Sequence, residues 1–233
     1  MGIFQTLQEW LESGIDAGGA FLDRITKAIS GLTDPKARRQ ATFSIAMIAL
    51  SAKMAKADGI VTLDEIHAFR DLFVIPQAER ANVARLFDLA KQDTAGFEAY
   101  AARIARLYDE DLQTLEDVMD GLFHIAKADG VLHEDERAFL QHVAQIFGFG
   151  DAAYDAIELR HVDRGIADPY QVLGVSAEMD LQEIKRVYRA KVSEFHPDRM
   201  IARGVPPEFI TIANDRMAAI NQAWEQIGRM KQA

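Results

Sequence analysis

The segment Ala55-Lys56-Ala57-Asp58-Gly59 recurs 71 residues later as Ala126-Lys127-Ala128-Asp129-Gly130, and the likeness extends to Asp64-Glu65 against Asp135-Glu136. Seven of the eleven positions from Ala55 to Glu65 are identical in the second copy, which marks a duplicated supersecondary unit. An apolar stripe at helical spacing leads into each Asp-Gly pair. Phe43, Met47, Leu50 and Met54 precede the first, and Leu115, Val118, Met119, Leu122 and Ala126 precede the second. Asp-Gly ends a helix because glycine enters the left-handed region without a Cβ clash. Glu65 and Glu136 follow where a new helix begins, and acids are favoured in a first turn. The unit is therefore helix–loop–helix, present twice. Further starts are signalled by Thr62 with Glu65 three residues on, by Pro76, by Thr94 and by Asp151, giving about seven helices up to residue 164. Met47, Met54 and Met119 sit on the apolar stripes and read as core filler.

Composition supports an all-α fold. The 233 residues include only six prolines and 15 glycines, and good helix formers dominate. With 49% hydrophobic and 27% charged residues the chain is an ordinary globular one, long enough for one large domain or two small ones. It has no cysteine, which excludes disulfides, thiolate chemistry and sulfur-ligated zinc, and fits a reducing, cytoplasmic setting. The net charge of −10 disfavours a nucleic-acid binder working through bulk positive charge. That charge is unevenly placed: residues 168–233 carry nine basic and nine acidic side chains, so residues 1–167 hold the whole excess. The seam falls at Asp163 to Pro169, because Pro169 disfavours helix at Asp168.

Residues 1–38 read as an amphipathic helical segment. Phe4, Leu7, Trp10 and Leu11 share a face, and Phe21, Leu22, Ile25 and Ile29 form a second stripe beyond Gly14, Gly18 and Gly19. Glu9, Glu12, Asp16, Asp23, Arg24 and Lys27 interrupt any membrane span, so the expectation is docking on protein surface, with any membrane contact peripheral and at the cytoplasmic face.

Each acidic loop has two readings. As helix punctuation, Asp58 and Asp129 end one helix while Glu65 and Glu136 open the next. As a cation site, the carboxylate of the loop and the one seven residues later would converge on a hard ion such as calcium or magnesium. An EF-hand is excluded: with Gly59 at the turn position, Met54 and Lys56 fall where carboxylate ligands belong, and the second copy has Ile125 and Lys127 there. The repeated K-A-D-G followed by D-E resembles the TerB family of tellurite-resistance helical domains, over roughly residues 40–150. That resemblance implies a helical bundle, expected at 39–164, and maps the family's proposed divalent-metal residues onto Asp58, Glu65, Asp129 and Glu136.

His67, His124, His133, His142 and His161 show no metal-hydrolase spacing. His196 is set apart by its surroundings. Asp168-Pro169-Tyr170-Gln171-Val172-Leu173-Gly174-Val175 is followed by a helix from about Asp180 to Phe195, then His196-Pro197-Asp198-Arg199, a loop, and a helix from about Pro207 to Ile227. On the first helix Leu181, Ile184, Val187, Tyr188, Val192 and Phe195 form an apolar side and Lys185, Arg186 and Arg189 a basic one. Phe209, Ile212, Ala213, Met217, Ile220, Trp224 and Ile227 give the second helix a complementary stripe. Pro197 stops the first helix and holds His196 and Asp198 in an exposed turn, with no nucleophile or oxyanion donor nearby to make it an active site.

The order D-P-Y-x-x-L-G-V, H-P-D, I-N-x-A-W resembles the J domain of DnaJ-type co-chaperones, over residues 168–233. The resemblance implies a helical hairpin that docks on a DnaK-type chaperone ATPase through Lys185, Arg186, Tyr188, Arg189, His196, Pro197, Asp198 and Arg199, with hydrolysis performed by the partner and no catalytic residue in this chain. Ala190 and Lys191 depart from the usual basic-then-leucine pair, and Trp224 replaces a usual tyrosine. A TerB-like domain followed by a C-terminal J domain resembles the DjlA family, as does the loop Arg203-Gly204-Val205-Pro206-Pro207-Glu208, whereas that family's usual N-terminal anchor is replaced here by charged helices. The expectation is a co-chaperone that stimulates DnaK-type ATP hydrolysis, its acidic domain serving client, partner or membrane localisation. The alternative is a divalent-metal-sensing protein with the J domain as output. The client, the metal and the oligomeric state are not legible in the sequence.

Overall fold

The computed structural model describes residues 29–57, 77, 80–92, 96–108, 111–161, 168–206 and 209–231. The first acidic loop with Asp58, Gly59, Thr62 and Glu65, the N-terminal stripes up to Ile25, His67, Pro76, Thr94 and the 163–167 part of the seam lie outside them. Among the described residues the regular elements are helices: α1 Pro35–Ala57, α2 Arg80–Gln92, α3 Phe97–Leu107, α4 Leu112–Ala126, α5 Glu134–Ile146, α6 Asp151–His161, α7 Pro169–Leu173, α8 Leu181–Glu194, α9 Pro197–Arg203 and α10 Ile210–Met230.

Helix α1 is the axis of the acidic domain, with α2, α3, α4 and α5 packed around it. Its sequence suggests one apolar face, but burial runs without a break from Ala41 to Ala55. The reason is the scatter of small residues between the large ones: Ala41, Ala46, Ala49 and Ala52 let neighbours approach on every side, and a helix enclosed all round is apolar all round. Two of the polar residues it buries have partners, with Thr42 Oγ1 donating to Arg38 O at 2.8 Å and Lys53 Nζ lying 4.9 Å from the Tyr100 ring centroid, whereas the buried Ser51 hydroxyl has no partner among the described residues. Met47, Met54 and Met119 are buried in the core, as their spacing predicts.

Helix α4 carries the second stripe and is nearly enclosed from Thr114 to Ala126. Asp111 caps it, accepting from Thr114 N at 3.1 Å. It ends where the repeat demands, with Lys127 to Asp129 turning and Gly130 at φ +90°. Gly121 is the point of closest approach: a Cβ there would sit 2.6 Å from Met47 Cε and 3.0 Å from Ile212 Cδ1, so α1, α4 and α10 meet at a position that only glycine fills without displacement.

The C-terminal third opens on α7, where Asp168 accepts from Tyr170 N at 3.0 Å, Pro169 occupies the first turn and Gly174 (φ +63°) ends the helix. Asp180 and Glu183 form a reciprocal capping box on α8. The long hairpin of α8 and α10 encloses a small core of Val172, Leu173, Ile184, Phe195, Ile220, Ala223 and Ile227. The apolar side of α8 is narrower than its sequence suggests: Ile184 and Phe195 are buried, whereas Leu181, Tyr188 and Val192 pack only at the margin.

Two features depart from the sequence reading. The residues after His196 form the seven-residue helix α9 rather than a loop, because Pro197 is preorganised for a first turn and Met200 and Val205 have an apolar seat to fill. That seat belongs to the acidic domain. Met200, Val205, Phe209, Ile212 and Ala213 join the large N-terminal core, with Phe209 edge-on to Phe43 at 4.6 Å between centroids. Helix α10 thus divides its burial, its first turns serving the acidic domain and its later turns the hairpin.

Candidate functional site

Helix α8 ends at Glu194, with the Phe195 N–H donating back to Lys191 O at 2.9 Å. His196 then turns extended (φ −62°, ψ 135°) and becomes the cap of α9, its Nδ1 accepting the Asp198 N–H at 3.2 Å. An accepting Nδ1 places the proton of a neutral ring on Nε2. The His196 side chain is 52% exposed and that of Asp198 is 87% exposed. Proline supplies the geometry: without an N–H it loses nothing at the first helical position, and its fixed φ sets the direction in which α9 leaves.

Beside the turn lies a shallow open depression of about 320 Å³, lined by Tyr188, Arg189, Val192, Ser193, His196 and Arg199. Of the eight residues expected to bind a partner, Tyr188, Arg189, His196 and Arg199 line it and Pro197 and Asp198 adjoin it in the chain. Lys185 stands one turn before Arg189 on α8, and Arg186 is exposed beside it. Tyr188 is held in place, its ring stacked on Trp224 at 5.0 Å and its hydroxyl donating to Asn221 Oδ1 at 3.1 Å. The exchange of tyrosine for tryptophan at 224 keeps an aromatic platform under Tyr188. A cleft lined by guanidinium groups with an exposed carboxylate at its edge, 3.6 Å from His196 Nδ1, suits recognition of a protein surface carrying both acid and arginine.

The opposite side of the same turn is buried, and sequence reasoning missed it. Asp117 and Asp120 of α4, both fully buried, face Arg216 of α10, which donates to Asp117 Oδ1 at 2.8 Å and also to Asp120 Oδ2. Arg203, at the end of α9, donates to Asp117 Oδ2 at 2.7 Å and to Gln113 Oε1 at 3.1 Å, and its Nη1 lies 3.4 Å from Glu194 O. Gln113 in turn donates to the Glu194 carboxylate. Arg160 of α6 pairs with Glu116 at 2.7 Å and with Asp120 at 3.5 Å. The Phe195 ring is the floor of this cluster, with the Arg216 guanidinium 4.4 Å, Lys191 5.6 Å and Arg160 5.9 Å from its centroid.

Burial pushes the Asp117 carboxyl above its ordinary value, while Arg216 and Arg203 pull it back. For Glu116 burial acts in the same sense, but Arg160, Arg216 and Lys191 outweigh it and the carboxyl is held below its usual range. His161 is pushed down to about 3 by burial and the neighbouring cations Arg160 and Lys127. It is therefore neutral, stacks on Phe123 and pairs Nε2 with Asp120 Oδ1 at 2.8 Å. Lys191, the departure from the usual J-domain leucine, belongs to this inner side. The signal for the cluster was present in the sequence: Asp117 and Asp120 interrupt the apolar stripe of α4, and Arg216 falls between Ala213 and Ile220 on the stripe of α10.

In the second acidic loop each carboxylate has a local partner. Asp129 accepts from Val131 N at 2.9 Å and meets His133 Nε2 at 3.2 Å, and these contacts, the Val131 N–H first, hold its carboxyl below the usual range. Glu136 is buried and accepts from His133 N at 2.9 Å, closing the first turn of α5. Among the described residues no group of three or more histidine and carboxylate side chains converges as a metal site would require. Asp58 and Glu65 lie outside the described residues. No helix among the described residues is long and apolar enough to cross a membrane.

The family described as tellurite resistance protein TerB matches residues 44–159, and the DnaJ domain matches residues 168–232. The protein named Co-chaperone protein DjlA from Photobacterium profundum is 30% identical over 219 residues, covering 83% of this chain and 79% of that protein. Its namesake from Vibrio parahaemolyticus is 27% identical over 229 residues, covering 84% and 80%, and that from Escherichia coli (strain K12) is 27% identical over 219 residues, covering 83% and 81%. No solved structure matches the chain. Coverage of that extent runs through both the acidic bundle and the hairpin that bears His196, and the chain belongs to the DjlA family of co-chaperones.

Proposed function

We propose that the chain recruits a DnaK-type chaperone ATPase through α8 and the His196-Pro197-Asp198 turn and stimulates its ATP hydrolysis. The observation that carries the reading is the presentation of that turn: Asp198 stands almost fully exposed at the start of α9, beside a depression edged by Arg189 and Arg199. An exposed carboxylate pays little desolvation until it meets an arginine, where the pair forms a charge-assisted, bidentate contact. Lys185, Arg186 and Arg189 supply positive potential for an acidic partner surface. On a chain of net charge −10 they are a local exception that orients the encounter. The bond that breaks is in the partner's nucleotide, and the hairpin acts by binding one state of the partner better than another.

The acidic domain selects the client, partner or membrane location, and the setting is cytoplasmic. What supports this is the net negative charge of the chain, all of which lies in residues 1–167, beside a charge-balanced docking hairpin. The experiment is ATP turnover by a purified DnaK-type chaperone titrated with the full chain, in wild-type and His196→Gln forms. Stimulation by wild type that is lost in the variant is expected. A wild-type chain that leaves turnover at its basal rate would sink the proposal.

A further inference from the structure

The docking turn is part of a hairpin, yet the groups that fix its inner side come from elsewhere in the chain. Asp117 and Asp120 are on α4, 79 and 76 positions before His196 in sequence. They hold Arg216 against the Phe195 ring, the residue immediately before the turn. Asp117 also holds Arg203, which closes α9 and reaches back to the Glu194 carbonyl at the end of α8. The far end of α9 is fixed from α1 as well. Arg39 Nη1 donates to Arg203 O at 3.3 Å, and Gly204, at φ +99°, passes so close to Arg39 that a Cβ on it would lie 2.7 Å from Arg39 Cβ. Met200 and Val205 are set in the large N-terminal core. Asp117, Gln113 and Arg39 of the acidic domain thus hold the far end of the short helix that begins at the docking turn, beside its contacts with α8 and α10.

We infer that Asp117 and Asp120 are positioning residues for the docking turn, acting through Arg216 and Arg203 to set the angle at which His196, Pro197 and Asp198 are offered to the chaperone. The inference rests on the function proposed above and gives the acidic domain a part in it: the J hairpin is tuned in place by its neighbour rather than carried on a tether. A buried carboxylate whose two oxygens each accept from a different guanidinium suits this purpose, because the two charge-assisted bonds together fix the direction of both arginines. Lys185, Arg186 and Arg189 lie on the other face of α8, so binding through them does not require the cluster.

The test titrates a DnaK-type chaperone with the full chain and reads two quantities, the plateau of ATPase stimulation and the concentration that gives half of it. Loss of folded protein moves the half-saturation concentration and spares the plateau. A turn held at the wrong angle lowers the plateau. Arg203→Gln is the informative variant, since Arg203 sits at the edge of the cluster, 16% exposed, and the buried Arg216–Asp117 pair survives its loss. The expected result is a plateau reduced roughly threefold to tenfold with half-saturation within about twofold of wild type. Asp117→Asn is expected to lower the plateau further, and Arg203→Lys to recover part of it. Independently of any chaperone, the backbone amide resonance of Asp198 is expected to move in Arg203→Gln, five positions away. An unchanged plateau, or an unmoved Asp198 amide, overturns the inference while wild-type stimulation and its loss in His196→Gln leave the proposed function standing. A wild-type chain without stimulation overturns both.

Discussion

The two faces of helix α8 use the same residue types in opposite ways. On the outer face Arg186, Arg189 and Arg199 are exposed, and their charges are shared with water. On the inner face Arg160 and Arg216 are buried and Arg203 nearly so, each paired with one or more of Gln113, Glu116, Asp117 and Asp120. Guanidinium groups left in water keep their full attraction for an incoming partner. Guanidinium groups already paired inside the protein have none to offer, and instead make the backbone around them rigid. A turn that must be both accessible and fixed needs one face of each kind, and α8 has them on its two sides.

The comparison breaks first on stability. Asp117→Ala leaves Arg216 and Arg203 short of a carboxylate in the interior, and Arg216→Ala leaves two buried carboxylates without their shared cation. Each is expected to cost on the order of 3–5 kcal/mol, the usual effect of orphaning one member of a buried pair. Arg189→Ala on the outer face is expected to fall within about 0.5 kcal/mol of wild type. Urea unfolding followed by circular dichroism checks both, and equal midpoints for Arg216→Ala and Arg189→Ala would remove the distinction between the faces.

The sequence shows the two faces unequally, for a physical reason. The outer face is made of neighbours on one helix and one turn, so its spacing could be read directly: Asp180 opens α8, Pro197 closes it, and Lys185, Arg186 and Arg189 follow at helical intervals. The inner face joins residues as far apart as Asp117 and Arg216, 99 positions, and no local pattern pairs them. Its trace is a charge placed on an apolar stripe, which says that a partner exists without naming it. Helix α9 was hidden in the same way, because what buries Met200 within it and Val205 just beyond it is a core built largely from the acidic domain. The repeat was legible at its second copy, where Gly130 takes the left-handed turn, and the burial of α1 on all sides was not, because alanines read as neutral until their neighbours are known.

The inner face also gives stability a dependence on pH. His161 titrates at about 3 in the folded protein, below the unfolded value near 6.5, so the unfolded chain binds its proton first as pH falls. Its contribution to stability is complete above pH 6.5 and is lost between about 6.5 and 3, at roughly 1.4 kcal/mol per pH unit. His161→Phe keeps the stack on Phe123, gives up the hydrogen bond to Asp120 and removes the proton site. Chemical denaturation at pH 7 and pH 5 is expected to show a smaller difference in the variant than in wild type, and an undiminished difference would remove His161 as its source.

On the outer face the expected effect is on rate rather than stability. Replacing Lys185, Arg186 and Arg189 together by alanine removes three positive charges, two of them exposed and Lys185 half-buried, and is expected to slow association with a DnaK-type chaperone about tenfold at low salt. The wild-type rate is expected to fall with added salt toward that of the variant, since attraction between exposed charges is screened within about 10 Å at 0.1 M. Stopped-flow association at two salt concentrations measures both, and an equal salt dependence in the two proteins would place the steering charge elsewhere.

The smallest effect is expected where a charge is neither offered to a partner nor enclosed. Asp129, 27% exposed, bonds the Val131 N–H and meets His133, so it occupies the middle ground between the two faces of α8. Asp129→Asn keeps an oxygen for the Val131 N–H and gives up the charge beside His133. The expected loss of stability is roughly 0.5–1 kcal/mol. If the loop serves only as helix punctuation, calcium or magnesium leaves the melting temperatures of wild type and Asp129→Asn equally unchanged. If it also holds a divalent ion, added metal raises the wild-type midpoint alone, by an amount that grows with metal concentration. The same pair of melting curves thus measures the local role of the carboxylate and decides whether the repeat has a second use.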